Sequence, residues 1–297
     1  MTRLESPITS AQEQAAAAAN AAAVNVRTVT DLDELAGVED LYERIWHSEP
    51  NAPIGTEMLR ALSKAGNYVA GAYVADTMVG ACVGFFAPPS DRTLHSHIAG
   101  VLPQAARRGV GYALKLHQRA WALERGIGVI EWTFDPLIAR NAYFNLVKLG
   151  GRPTEYLPNF YGGMRDRINT GDDTDRLLLC WDLEDPGVSE ACSMQRQPTY
   201  AAELRHRDDV AVALGRGPAG EPVIGSTDAP TLLIAVPPDV EALRGTDPEL
   251  ASVWRHEVRK VLGELLNGGA RARAFTRDGW YVLDAVHPNQ SRGEGHS

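Results

Sequence analysis

A strand that runs straight into a glycine-bearing turn, and from there into a long helix, constrains this chain more than any other feature. Leu94–Val101 reads as a strand, the run from Leu102 through Gly109, Val110 and Gly111 follows it, and from Tyr112 the pattern becomes helical. Ala113, Leu116, Ala120 and Leu123 fall on one stripe, Lys115, Gln118, Arg119 and Glu124 are expected mostly to turn away from it, and Gly126 is placed to stop the helix. The start of a helix offers backbone N–H groups without internal partners and a partial positive charge, which suits an anion. Gly109 and Gly111 lack a Cβ, so a diphosphate could approach the main chain, and Arg107 and Arg108 add charge beside it. An ordinary strand-to-helix turn with solvated arginines explains the same residues, and the loop alone leaves both readings open. It is not a dinucleotide fingerprint, because the third glycine and the following ribose-binding acid are missing. Gly215-Arg216-Gly217-Pro218-Ala219-Gly220 fits that fingerprint formally, but no amphipathic helix starts after it.

Strands are expected at Asn25–Val29, Tyr68–Val74, Met78–Phe86, Val129–Phe134 and Leu177–Leu183. Helices are expected from an Asp31 cap to Trp46, over Thr56–Ala65 and over Asn141–Leu149. This order predicts an α/β (α+β) fold with helices flanking a mixed sheet. The chain has 297 residues and a net charge of -9, so a large core is available and nucleic acid is a poor partner. No run of roughly 18 apolar residues is present, so no membrane span is expected. Cys82, Cys180 and Cys192 are too few and too scattered for a disulfide framework or a zinc cluster, and Cys82 and Cys180 read as buried inert thiols. No metal is expected, and the compartment is expected to be reducing, hence cytoplasmic.

Residues 1–23 are rich in alanine, lack the pattern of a secretory signal, and are expected to be a disordered tail. Residues 186–230 read as a linker and loop-rich segment. A smaller α/β extension is expected over 231–286, with a helix opened by Pro248 and a hairpin over Ala270–Asp284 turning at Asp278-Gly279; residues 287–297 read as a second disordered tail. Packed on the main domain, the extension would shape an acceptor pocket or a homodimer contact.

Val101-Leu102-Pro103-Gln104-Ala105-Ala106-Arg107-Arg108-Gly109-Val110-Gly111-Tyr112-Ala113-Leu114 resembles motif A of the GNAT superfamily, the acyl-CoA-dependent N-acyltransferases. Ala106 stands where the motif carries Gln or Arg, while Gly109 and Gly111 match. Ser96-His97, Gly100-Val101, Glu131 to Leu137, Arg140 to Asn145, Lys148-Leu149-Gly150, Tyr161-Gly162, Asp166, Asn169, Gly171, Asp175 and Arg176 resemble a narrower group of acetyltransferases within it that carries a similar C-terminal extension. The resemblance spans about residues 24–185 and implies a splayed sheet, with the diphosphate of coenzyme A held by Ala106, Arg107, Arg108, Gly109, Val110, Gly111 and Tyr112, and with Asn141 also on the coenzyme. It implies an acyl transfer, acetyl-CoA being the expected donor, to a primary amine of a small molecule by direct attack. A succinyl-CoA-dependent amino acid N-succinyltransferase and a non-catalytic acyl-CoA-binding regulatory module are the alternatives.

Amine acylation needs a base for the amine, a donor for the carbonyl oxygen and, in many enzymes, an acid for the thiolate. By the resemblance, the Val101 amide is the candidate donor and His95 falls where relatives carry a glutamate base. His97 shares the face of His95, because strand side chains alternate. A histidine that only fills a polar position on the strand is the competing reading for each. Glu131 and Asp135 could bind the amine or act as base, and for Asp135, which precedes Pro136, a loop cap is the stronger reading. Leu146 stands where the family carries its tyrosine acid; Tyr143 or Tyr161 could replace it, or be packed aromatics. Arg140 and Arg176 could clamp a carboxylate or be solvated or salt-bridged.

Overall fold

Periods of two and 3.6 in the apolar residues set the elements of this chain. The computed structural model describes residues 6–46, 53–162, 173–193 and 199–286. In chain order these hold α1 (Pro7–Ala22), β1 (Asn25–Thr28), α2 (Leu32–Trp46), α3 (Thr56–Lys64), β2 (Tyr68–Val74), β3 (Thr77–Phe86), β4 (Thr93–Val101), α4 (Val110–Leu123) and β5 (Val129–Phe134). There follow α5 (Ala139–Tyr143), β6 (Arg152–Leu157), β7 (Arg176–Asp182), α6 (Pro186–Cys192), α7 (Ala201–Leu204), β8 (Val210–Arg216), β9 (Pro222–Ile224) and β10 (Thr231–Ala235). The last are α8 (Val240–Thr246), α9 (Pro248–Val258), α10 (Glu264–Asn267), β11 (Arg271–Phe275) and β12 (Trp280–Asp284). The fold is mixed α/β, as expected.

Two compact units divide the chain, the first built mainly from Met1–Trp132 and Trp181–Met194, the second from Thr133–Arg165, Asn169–Cys180 and Gln195–Ser297. This division differs from the expected boundaries near 185 and 231. In the first unit the strands are ordered β1-β2-β3-β4-β5, antiparallel up to β4 and parallel between β4 and β5. The α2 residues Leu35, Val38, Leu41 and Tyr42 are buried in one core with Leu59, Val69, Val83 and Leu102. The Asp31 carboxylate caps α2, accepting from the Asp33 and Glu34 amides at 2.9 and 3.3 Å.

Residues 7–22 are a correction to the expected disordered tail: they form α1, which packs along α4 and buries Ala11, Ala18 and Ala22. Alanines allow the two helix backbones to approach closely, and polar residues fix the register. The Arg119 guanidinium donates to Gln14 Oε1 at 2.8 Å, and Gln14 Nε2 donates to Ser193 Oγ at 3.0 Å, on the turn after α6. Ser6 caps the start of α1, and Ala23, at φ 52°, ends it. The segment expected as linker likewise begins with a helix, α6, capped by the Asp185 carboxylate on the Gly187 amide at 2.6 Å. Residues 1–5 and 287–297 of the two expected tails lie outside the described residues, as do Asp166, Asn169 and Gly171.

In the second unit β6 and β7 pair antiparallel, and a five-stranded sheet runs β11-β12-β10-β8-β9. In chain order that sheet starts at Val210, so β8 and β9 lie within the segment expected to be loop-rich. β6 has no sequence counterpart above, because Pro153 sits at a register shift and only Pro153 and Tyr156 are buried along it. The hairpin turns where expected, with Gly279 at φ 87°. Two ion clusters bind the extension to the strands of this unit. Asp135 accepts from Arg255 through both oxygens at 2.8 Å and from Arg244 at 2.8 Å. Asp175 accepts from Arg259 at 2.9 and 2.6 Å and from the Tyr156 hydroxyl at 2.7 Å. These contacts tie Asp135 and Asp175 to Arg244, Arg255 and Arg259 of the C-terminal third.

Candidate functional site

Two devices act on β4. Val83 pairs with Ile98 and Gly84 with Ser96, so His97 is an extra residue, a bulge that bends the strand. On the opposite edge the ladder to β5 has only the pairs Thr93↔Val129, Leu94↔Ile130 and His95↔Glu131, while β4 continues to Val101. The strand therefore parts from β5 at His95, and the six residues from Ser96 to Val101 face no strand there among those described. The Leu102 N–H donates to Val79 O at 2.9 Å on the β3 side. Antiparallel alternation then turns the main-chain groups of Ala99 and Val101 to the open edge.

The open edge leads into the glycine turn. Gly109 is the N-cap of α4 at φ 86°, a left-handed backbone that favours glycine, and no side chain caps the helix there. The first helical bond is Ala113 N–H to Gly109 O at 2.9 Å, so the Val110 and Gly111 amides precede the hydrogen-bonded turn. A Cβ added at Gly111 would meet nothing nearer than Val101 Cγ2 at 3.8 Å, and at Gly109 nothing nearer than Ala22 Cβ at 3.7 Å. The loop surface is thus bare main chain, which fits a diphosphate. Ala106, Arg107 and Arg108 are exposed, Arg107 has a left-handed φ of 63°, and no carboxylate among the described residues pairs with either arginine. Tyr112 is buried, and its hydroxyl donates to Cys192 O at 2.7 Å, which makes its side chain a link to α6.

His95 and His97 share one face, with ring centroids 6.1 Å apart and Phe85 at 5.0 and 5.7 Å from them. Glu131 is the Cα partner of His95 on the parallel strand, so Phe85, His95 and Glu131 form a row across three strands. Burial, and then the charges of His97 and Lys115, push the His95 imidazole below its ordinary pKa, and burial does the same to His97. Glu131 is pushed up by burial and by Asp91.

The other candidates belong to the second unit. The Tyr161 hydroxyl is 3.0 Å from Thr133 Oγ1, and the Arg176 guanidinium lies 5.2 Å from its ring centroid. Asn141 is half-buried on α5, and Leu146 is buried. Asp135 does cap, accepting from the Leu137 amide at 2.9 Å, and the Arg244 and Arg255 contacts make it a buried structural ion. Arg140 pairs with Glu241, so it is no free carboxylate clamp.

The expectation that Lys115, Gln118 and Arg119 turn away from the buried stripe is corrected: all three are buried. Lys115 and its partner Gln118 lie against the sheet at Ser96 and Trp132, and Gln14 of α1 covers Arg119. The Lys115 ammonium donates to Gln118 Oε1 at 2.7 Å and to Ser96 Oγ at 3.1 Å, and lies 3.6 Å from the Trp132 ring centroid and 5.5 Å from that of Trp181. Burial lowers its pKa to about 8. The signal for this lay in α4 itself, where Tyr112, Leu114, Trp121 and Ala122 carry apolar character around the whole helix.

Among the described residues no group of histidine, cysteine and carboxylate side chains could hold a metal, and no helix is long and apolar enough to cross a membrane. No family model and no curated protein matches the chain. Solved structures do. The ribosomal-protein-S18-alanine N-acetyltransferase from Escherichia coli is 13% identical, covers 55% of this chain and 95% of its own, and gives a TM-score of 0.44. A Salmonella typhimurium protein solved with its cofactor acetyl-CoA is 18% identical over 55% of this chain and 95% of its own, with a TM-score of 0.44. An N-acetyltransferase from Staphylococcus aureus Mu50 is 14% identical over 54% and 98%, with a TM-score of 0.42.

Proposed function

We propose that this protein is an acyl-CoA-dependent N-acyltransferase that moves an acyl group, acetyl being the expected one, to a primary amine of a small molecule by direct attack. The observation that carries the reading is the parting of β4 from β5 at His95 on a strand that leads to the glycine-headed start of α4. When bound, acyl-CoA would supply an activated thioester. The Val110 and Gly111 amides, with Arg107 and Arg108, would hold its diphosphate. Ala99 and Val101 offer main-chain groups on the open edge for the extended arm and the carbonyl oxygen. His95 and His97 would take the proton that an ammonium sheds before its nitrogen attacks. Their lowered pKa values keep both imidazoles neutral near pH 7, the state a base needs. Glu131, partnered with His95 across the strands, would bind the incoming cation.

A thiol-release screen with acetyl-, propionyl- and succinyl-CoA against a panel of amines, with product masses measured, tests the reading and separates the acetyl from the succinyl alternative. His95→Ala or His97→Ala is expected to lower turnover by about 10²–10⁴ while acetyl-CoA still binds. Binding without thiol release for any amine would favour the regulatory module instead. Absence of heat on titrating acetyl-CoA into the protein would remove both.

A further inference from the structure

A lysine is rarely fully buried unless an anion meets it, because desolvating an ammonium is costly. Lys115 is 5% exposed, and among the described residues no carboxylate pairs with it. A methionine of similar length would fill the space between Trp132 and Trp181 without that cost. The position of the charge suggests what it does. The last ladder pair between β4 and β5 is His95↔Glu131, and the next residue on each strand is Ser96 and Trp132. The Lys115 ammonium contacts both, at 3.1 Å to Ser96 Oγ and 3.6 Å to the Trp132 ring centroid. It therefore sits where the two strands begin to part, and Gln118 Oε1, at 2.7 Å, anchors it from the next turn of α4.

We propose that Lys115 is a positioning residue: a buried cation that ties Ser96 of β4 to Trp132 of β5 and sets the opening between the strands into which the thioester arm enters. The inference rests on the acyl-CoA reading above. It assigns Lys115 no contact with substrate; the residue acts through the strands. The titratable groups facing the ammonium are the Cys82 thiol on β3, which burial holds protonated, and His95 on β4. Neither neutralises it, so its own proton is what changes as pH rises.

Two measurements test this on the full chain. Tryptophan emission of the wild type, followed from pH 6.5 to 10, is expected to titrate with a midpoint near 8, and in Lys115→Met that transition is expected to vanish. Calorimetry with acetyl-CoA, which has no free thiol, is expected to show binding about tenfold weaker for Lys115→Met at pH 7, with the wild type approaching that level at pH 9.5. In turnover the loss is expected in KM for acetyl-CoA with kcat little changed, and Lys115→Arg is expected to recover most of it. If Lys115→Met, shown folded by circular dichroism, binds acetyl-CoA as the wild type does, the positioning role is overturned and the acyl-CoA reading stands. If Lys115→Met unfolds, an unchanged wild-type affinity between pH 7 and 9.5 overturns the role by itself. If the wild type gives no heat, the acyl-CoA reading falls and takes the proposal with it.

Discussion

Arg255 and Lys115 are both buried cations, one in each unit, and their surroundings differ in kind. Arg255 meets a carboxylate in a two-point contact, Asp135, which Arg244 also contacts, and Asp135 is held down to about 2 by these arginines against the opposing effect of burial. Lys115 meets a hydroxyl, an amide oxygen and two indoles, and its pKa falls to about 8. A guanidinium cannot shed its proton and keeps its charge when buried, whereas an ammonium can give way to burial. The first arrangement fixes a fold; the second leaves a charge that ordinary pH can remove.

Asp135→Asn should break this contrast most severely. It removes the buried negative charge that Arg255 and Arg244 both contact, and a loss of about 3–5 kcal/mol is expected in urea or thermal denaturation. Gly109→Ala comes next: a Cβ at φ 86° is expected to cost about 1–2 kcal/mol and to weaken acetyl-CoA binding. Gly111→Ala, where the nearest atom is 3.8 Å away, should change stability less while still obstructing the diphosphate. Lys115→Met should leave stability within about 1 kcal/mol or raise it, opposite in character to Asp135→Asn.

The pH dependence sharpens the same comparison. Asp135 has a depressed folded pKa, so its contribution is present above the carboxylate's ordinary value and is lost as pH falls toward about 2. Lys115 is lowered from 10.5 to about 8, so between those values the unfolded chain binds more protons than the folded one. Stability should therefore gain with rising pH across that window relative to Lys115→Met, whose thioether carries no proton to lose. The smallest expected effect is on the acid limb of activity: with both imidazoles below their ordinary pKa, kcat/KM should hold its plateau to a pH below about 6.5.

Much of the first unit was legible in the sequence because its elements carry their own periods and caps. Tyr68–Val74 and Val129–Phe134 begin and end where alternation and turn residues place them, and Asp31 caps α2. Gly109 announced a turn that needs a left-handed backbone. What escaped the sequence was decided by partners far along the chain. The large apolar side chain of α1, Ile8, stays exposed, and only the close approach of α4 makes its alanines a packing surface. The bulge at His97 is a two-against-one count between strands, which no single strand records.

The sequence by itself determined the alternation of β4, the glycine turn, the long helix after it and the pair of histidines, since each depends on residues a few positions apart. Tertiary structure alone decided that β4 leaves β5 at His95, that α1 covers α4, and that Lys115 is enclosed between Ser96 and Trp132. Local periodicity assigns a lysine to water by its charge. Only the packing of remote segments can take the water away, and with it part of the lysine's hold on its proton.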